Sequence, residues 1–298
     1  MVHVEHFAMA FGNTRVIEDL SFDVRVGETF GFLGSNGSGK TTTIRCLLGI
    51  FQPSAGILHI NGRPFKPGQS GELGYLPEER GLYKKESVLD AMSYFGRLKG
   101  LSAREAKQWS LNYLERVGLA DKASLQLEKL SGGQQQKVQL GVTIMNHPAL
   151  LILDEPAKGF DPVNRRLLMD IIDEQKNEGS TVVMVTHQMD EVERLCDRIL
   201  LLKDGRARAY GAVSDVQEQF GGNTVQLSYE GRLPVEDSFT VIRDNLGHAE
   251  LSLANGVKPS ALLRSLVESG VIVSSFTSSR RSLDSIFVEV YGAQDEGE

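Results

Sequence analysis

Cysteine is almost missing from this chain. Cys46 and Cys196 are the only two and stand in unrelated contexts, which excludes a disulfide framework and fits a reducing cytosol. Also missing is any apolar run approaching about 18 residues, so no membrane-spanning segment is expected. The opening "MVHVEHFAMAFG" alternates and carries His and Glu. Without a basic start and an apolar stretch it is not read as a signal peptide. Nor is there an excess of positive charge. The formal net charge is −7, so no general attraction to nucleic acid or anionic lipid is expected. No internal repeat is visible.

What is present suffices for two domains. The chain has 298 residues, 41% of them hydrophobic, enough for a real core. Strand-like segments run from Val2 to Phe7 and from Phe22 to Val26, with a turn at Gly12-Asn13. "ETFGFLG", "ALLILDEP" and "STVVMVTH" are uninterrupted apolar strands, suited to burial on both faces. "TTTIRCLLG" has helical spacing and is closed by Gly49. Asn61-Gly62 is a hairpin signal, and Asp204-Gly205 turns a second hairpin in "RILLLKDGRARAYG".

Residues 87–145 read as a helical subdomain. Val88, Leu89, Met92, Phe95 and Leu98 share one helix face, and Ser102 with Glu105 forms a capping-box pattern. A further helix is expected from Asn164 to Lys176. Gly221 to Asn223 reads as a linker. Beyond it, residues 224–292 read as a small α+β accessory domain with no catalytic motif. Its strands are "TVQLSYE", "AELSLANG" and "VIVSSFT", with a helix in "KPSALLRSLVESG". A terminal amphipathic helix carries Leu283, Ile286, Phe287 and Val290 on one side. The tail "AQDEGE" is expected to be loose.

Three segments carry chemistry. "GSNGSGKT", Gly34 to Thr41, matches G-x-x-x-x-G-K-[ST] and lies between an apolar strand and a helix. In such a loop Gly34, Gly37 and Gly39, with Ser35, Asn36 and Ser38 between them, let backbone N–H groups converge on phosphate oxygens. Lys40 supplies positive charge to the β/γ-phosphates and Thr41 a hydroxyl for Mg²⁺. The helix N-terminus, with Thr42 in its first turn, favours the anion.

"LLILDEP" puts Asp154 and Glu155 at the carboxyl end of a strand, where nucleotide sites of open parallel sheets lie. Asp154 would hold Mg²⁺, and Glu155 would polarise the attacking water. His187 ends the strand "TVVMVTH" and would hydrogen-bond the γ-phosphate. "LSGGQQQ", with Ser131, Gly132, Gly133 and Gln134, is a second anion site of small residues before a helix. One nucleotide needs only one such site, but two copies facing head to tail would use both. The plain alternative is an ordinary Ser N-cap.

Together these residues resemble the ATP-binding cassette family. The segments at 34–41, 130–136, 150–156, "FDP" at 160–162 and "THQ" at 186–188 stand in that family's order and spacing over residues 1–220. The resemblance implies an α/β fold: a P-loop nucleotide-binding domain with an N-terminal antiparallel β subdomain and a helical subdomain. It also implies ATP and Mg²⁺ as ligands, Phe11 stacking on adenine, and Asp161 in a loop crossing to a second cassette subunit. The family's dimer, of like or unlike cassettes, closes on two ATP molecules and opens after hydrolysis. A single cassette without a span resembles the ATPase subunit of a transporter with separate transmembrane permease subunits, at the cytoplasmic face of the cell membrane. The accessory domain and "YLPEERGLY" resemble the bacterial export branch, whose members include sodium, drug and antibiotic efflux systems. The alternatives are a soluble cassette ATPase acting on the ribosome or DNA, and a regulator that binds nucleotide without hydrolysis. One cassette, no coiled coil and an acidic balance disfavour the first. Glu155, His187 and the intact "LSGGQ" disfavour the second.

Two residues depart from the family pattern. Glu78 stands where Gln is usual, although the export branch often has Glu, and Lys158 stands where Ser is common. Either could weaken hydrolysis or mark a cassette with an unlike partner. A carboxylate about 4 Å from one phosphate charge would cost roughly 4 kcal/mol at an effective dielectric of 20. Glu78 could escape this by ligating Mg²⁺, by pairing with Arg80, or by facing solvent.

Overall fold

The structure, a computed structural model, describes residues 1–66, 73–79, 81–220, 223–254 and 256–292. Arg80, the linker glycines Gly221 and Gly222, and the tail from 293 lie outside the described residues. The chain forms two compact units, Met1–Tyr210 and Gly211–Glu298.

In chain order the first unit runs β1 (Val2–Phe11), β2 (Thr14–Val24), β3 (Thr29–Leu33), α1 (Lys40–Leu47), β4 (Ala55–Ile60) and β5 (Leu73–Leu76). It continues with α2 (Val88–Leu98), α3 (Ala103–Arg116), α4 (Gly132–Ile144), β6 (Leu150–Asp154) and α5 (Pro162–Asn177). It closes with β7 (Thr181–Thr186), α6 (Met189–Leu195), β8 (Arg198–Lys203) and β9 (Arg206–Ala212). The strands form one sheet in the order β4-β1-β2-β9-β8-β3-β7-β6-β5.

Each half of that order follows from local sequence. β1 pairs antiparallel with both β2 and β4, which makes the N-terminal β subdomain. From β8 to β5 all neighbours are parallel. β3, β6 and β7 are buried at every residue, as unbroken apolar runs require when helices cover both faces. One core joins the two parts, with Phe7, Leu20 and Phe22 from the antiparallel side and Phe30, Ile152, Val185 and Leu200 from the parallel side.

Several elements differ from the expectation. The Asn61-Gly62 turn exists, but it closes only a single bridge, Ile60 to Arg63, and β4 spends its hydrogen bonds on β1. β5 and α6 were not expected, because each is too short to show a period. Leu98 is exposed, and Ala91 and Gly96 take the buried face of α2 with Val88 and Met92. A side chain at Gly96 would meet Ala106 Cβ at 2.8 Å, so the missing Cβ is what lets α3 approach. The expected capping box of α3 is present: Ser102 Oγ accepts from the Glu105 N–H, and Glu105 Oε2 accepts from the Ser102 N–H.

The second unit begins with α7 (Val213–Gln219), which packs on a later strand of the same unit, and continues with β10 (Asn223–Glu230), β11 (Phe239–Asn245) and β12 (His248–Leu253). It ends with α8 (Pro259–Glu268), β13 (Ile272–Arg280) and α9 (Leu283–Gly292). The antiparallel order is β11-β12-β10-β13, with α8 on one face and Val225, Leu227, Leu251, Leu262 and Leu266 in a core of its own. β11 was not expected: only Phe239 in it is buried, so it shows no alternation. Leu283 and Ile286 are the buried anchors of α9. Among the described residues no helix is long and apolar enough to cross a membrane.

A close approach inside the helical subdomain generates a test. A Cβ at Gly141 in α4 would meet the Tyr113 ring at 2.4 Å. Tyr113 is buried and its hydroxyl donates to the Lys137 carbonyl at 2.8 Å, so the ring is pinned. In an open helix Gly→Ala gains about 1 kcal/mol from propensity. Here overpacking of about 1–3 kcal/mol opposes it. We expect Gly141→Ala to lower the denaturant midpoint of the full chain; a raised midpoint would show that the ring yields freely.

Candidate functional site

The parallel register gathers the chemistry at one sheet edge. β3 pairs Leu33 with Thr186 of β7, and β7 pairs Val185 with Asp154 of β6. The residues that follow these strand ends are Gly34, His187 and Glu155. One strand further, β5 pairs Leu76 with Leu153, so the chain leaving β5 brings Glu78 to the same edge. A cavity of about 650 Å³ opens there, lined by Asn36, Lys40, Thr41, Thr42, Glu155 and His187 among others.

The P-loop is shaped by two glycines. At Gly34 a side chain would meet Ser38 Oγ at 2.4 Å and the Leu202 carbonyl of β8 at 2.6 Å. Gly39, the N-cap of α1, has φ 107°, and a Cβ there would strike Ile17. Lys40 Nζ donates to the carbonyls of Gly34 at 2.8 Å and Ser35 at 2.9 Å, so the ammonium is folded across its own loop. Burial pulls it below the usual lysine range, while Glu155, Asp154 and Glu78 pull it back up. Ser38 Oγ is buried without a hydrogen-bond partner inside the loop, an orphan of the kind that an incoming oxygen satisfies.

Asp154 and Glu155 differ in setting. Asp154 is buried, and its Oδ2 lies 3.5 Å from Thr41 Oγ1. Burial, then the Glu78 and Glu155 carboxylates, push its carboxyl up to about 6, so a nearby cation would relieve it. Among the described residues no group of three His, Cys, Asp or Glu side chains is arranged to hold a metal alone. A hydroxyl and one carboxylate suit Mg²⁺, which takes few protein oxygens and fills its shell with phosphate and water. Glu155 is held in the left-handed region at φ 49°, a strain on the order of 1 kcal/mol. Its N–H donates to the Val185 carbonyl at 2.8 Å, and Oε1 lies 2.8 Å from His187 Nδ1, which fits an Nδ1–H donor.

The remaining residues fall in different places. Glu78 lines the cavity, and its Oε1 accepts from Lys158 Nζ at 2.6 Å. Ser131 caps α4 in a full capping box with Gln134, and Gly133 packs near the Gly159 carbonyl. The segment from Ser131 to Gln134 does not line this cavity. Neither does Asp161, which caps α5 by accepting from the Asn164 N–H at 2.9 Å. Phe11 is 46% exposed and rests edge-on against Phe51.

Sequence reasoning missed Arg165 and Glu191. Arg165 lines the cavity, and its Nε lies 3.5 Å from Glu191, whose side chain is 1% exposed. The available signal was position: Arg165 stands one turn beyond the Asp161 cap.

Comparison with known proteins agrees with this geometry. A family model described as ABC transporter matches residues 17–158. A second, for the C-terminal domain of ATP-binding proteins of the DrrA1-3 type, matches 211–291. The ABC transporter ATP-binding protein YhaQ of Bacillus subtilis is 36% identical over 98% of this chain and 99% of its own. The linearmycin resistance ATP-binding protein LnrL of the same species is 34% identical over 83% of this chain and 80% of its own. A solved ATP-binding subunit of an ABC transporter superposes with TM-score 0.69 at 30% identity, covering 74% of this chain and 93% of that one.

The buried Glu191 makes a prediction. Burial pushes its carboxyl from 4.5 up to about 7, with Arg165 opposing and Asp190 and Glu155 adding. A folded-state value above the unfolded one means the native chain holds the extra proton, so stability falls as pH rises from about 4.5 through 7. Glu191→Gln keeps the shape without the charge. We expect its Tm at pH 8 to exceed that of the parent, by the equivalent of about 1–3 kcal/mol. Its profile between pH 5 and 8 should be flatter; an unchanged slope would exclude Glu191 as the source.

Proposed function

The chain belongs to the ABC transporter ATP-binding family, and from that premise we propose how its own residues bind and hydrolyse ATP to drive a transporter. The observation that carries the reading is the Glu155–His187 contact at 2.8 Å, at the ends of adjacent parallel strands beside the P-loop. It sets a carboxylate and an imidazole where a γ-phosphate held by the loop would lie.

The P-loop amides and Lys40 hold the β- and γ-phosphates, with Ser38 gaining a partner for its buried hydroxyl. Thr41 and Asp154 hold Mg²⁺, which when bound offsets phosphate charge. Glu155 accepts a proton from the attacking water as its oxygen bonds to the γ-phosphorus and the bond to the bridging oxygen breaks. Its strained backbone and the His187 bond hold the carboxylate in one orientation. In this role His187 donates through both ring nitrogens, Nδ1 to Glu155 and Nε2 to the transferred phosphate, which takes the place of the present 3.2 Å contact of Nε2 with Gln188 Nε2. Phe11, exposed near the start of the chain, stacks on the adenine.

Ser131, Gly132, Gly133 and Gln134 serve the ATP of a second cassette subunit, because they lie away from this chain's own cavity. Asp161, at the start of α5, lies in the contact between the two. The export direction draws support from the names of the relatives, including a Nod factor export ATP-binding protein of Cupriavidus metallidurans that is 30% identical over 95% of both chains. Separate transmembrane permease subunits and a position at the cytoplasmic face of the membrane complete the proposal.

Glu155→Gln tests it. The variant should bind ATP as the parent does, lose about 10²–10⁴-fold in turnover, and accumulate as an ATP-bound dimer in light scattering. Turnover at the parent's rate would remove Glu155 from the chemistry.

A further inference from the structure

Three carboxylates, Glu78, Asp154 and Glu155, line the cavity read above as the ATP site. That is a repelling wall for a polyphosphate unless each is balanced. Asp154 sits beside Thr41 and within the field of Lys40, and Glu155 is held by His187. For Glu78 the partner is Lys158, at 2.6 Å.

The pair is built by the fold rather than by chance proximity of long side chains. Its members follow β5 and β6, which are hydrogen-bonded neighbours. The Lys158 N–H donates to the Glu155 carbonyl at 3.1 Å, so the turn that sets the Glu155 backbone also sets Lys158. Both side chains also line a second cavity of about 440 Å³ with Glu79, Lys84, Gln135 and Gln136. The ion pair therefore stands as the partition between the nucleotide cavity and a hollow at the start of α4.

Folding stability is a poor reason for it. With side chains 60% and 41% exposed, such a pair adds little to the native state. Its effect falls on the charge that an entering anion meets.

We propose that Lys158 is a positioning residue for nucleotide binding: it holds the Glu78 carboxylate away from the phosphates, and so joins the chain after β5 to the turn carrying Glu155. The proposal rests on the ATP reading of this cavity. Lys158 acts through Glu78, so its removal should matter only while Glu78 carries charge.

The test is a double-mutant cycle on the full chain, with ATP titrated calorimetrically in EDTA and in Mg²⁺, beside steady-state kinetics. Lys158→Met should weaken ATP binding about tenfold, the factor of a single displaced like charge in a partly screened site. It should raise KM far more than it lowers kcat. Lys158→Arg should restore affinity, and higher salt should shrink the loss. In a Glu78→Gln background the same Lys158→Met change should shift affinity less than about twofold, because the group that Lys158 holds at 2.6 Å then carries no charge. Equal losses in both backgrounds, or no loss in either, would overturn the proposal while leaving the ATP site intact. A parent chain that binds no ATP, or a Lys40→Ala variant that binds as well as the parent, would overturn the site reading itself and the proposal with it.

Discussion

The hydrogen-bonded register of β3, β7, β6 and β5 is the constraint on which the site depends. Parallel strands present all their carboxyl ends to one side, and the residue after each end has nowhere else to go. Leu33 beside Thr186, Val185 beside Asp154, and Leu153 beside Leu76 bring four distant segments within one cavity. A shift of one residue in any pair would turn a cavity-lining side chain into the core and bring an apolar one out. The full burial of β3, β6 and β7 works against such a shift.

That constraint explains what could be read from the sequence. The three central strands are short, apolar and closed by polar residues, so the placement of Gly34, Asp154, Glu155 and His187 at strand ends was legible. The P-loop was legible because few other uses exist for its glycine pattern. The Ser131 segment was legible as a helix start. The less visible features depend on pairings far apart in the chain. Glu78 and Lys158 are separated by 80 positions, and each alone resembles a solvated charge. Arg165 and Glu191 lie on polar helices where nothing in the local pattern marks a buried carboxylate. β11 escaped notice because only its first residue is buried.

The electrostatics of the cavity tell one story. Burial and mutual repulsion raise Asp154, and Lys40 bends back onto the Gly34 and Ser35 carbonyls. Glu78 and Glu155 each rest on a cationic or donating neighbour. The site is thus held together by contacts that can be exchanged, while its backbone stays set by the sheet.

The capping box at the start of α4 has a consequence for the surface it presents. Ser131 Oγ accepts from the Gln134 N–H, and the Gln134 side chain accepts from the Ser131 N–H. One lone pair of the hydroxyl is occupied by its own helix, and the proton points elsewhere. What Ser131 offers a visitor is therefore a donor. The bond that starts this helix also sets the polarity of its tip, so the hydroxyl proton is free to meet an oxygen rich in electrons, while one lone pair of the two is left for a donor.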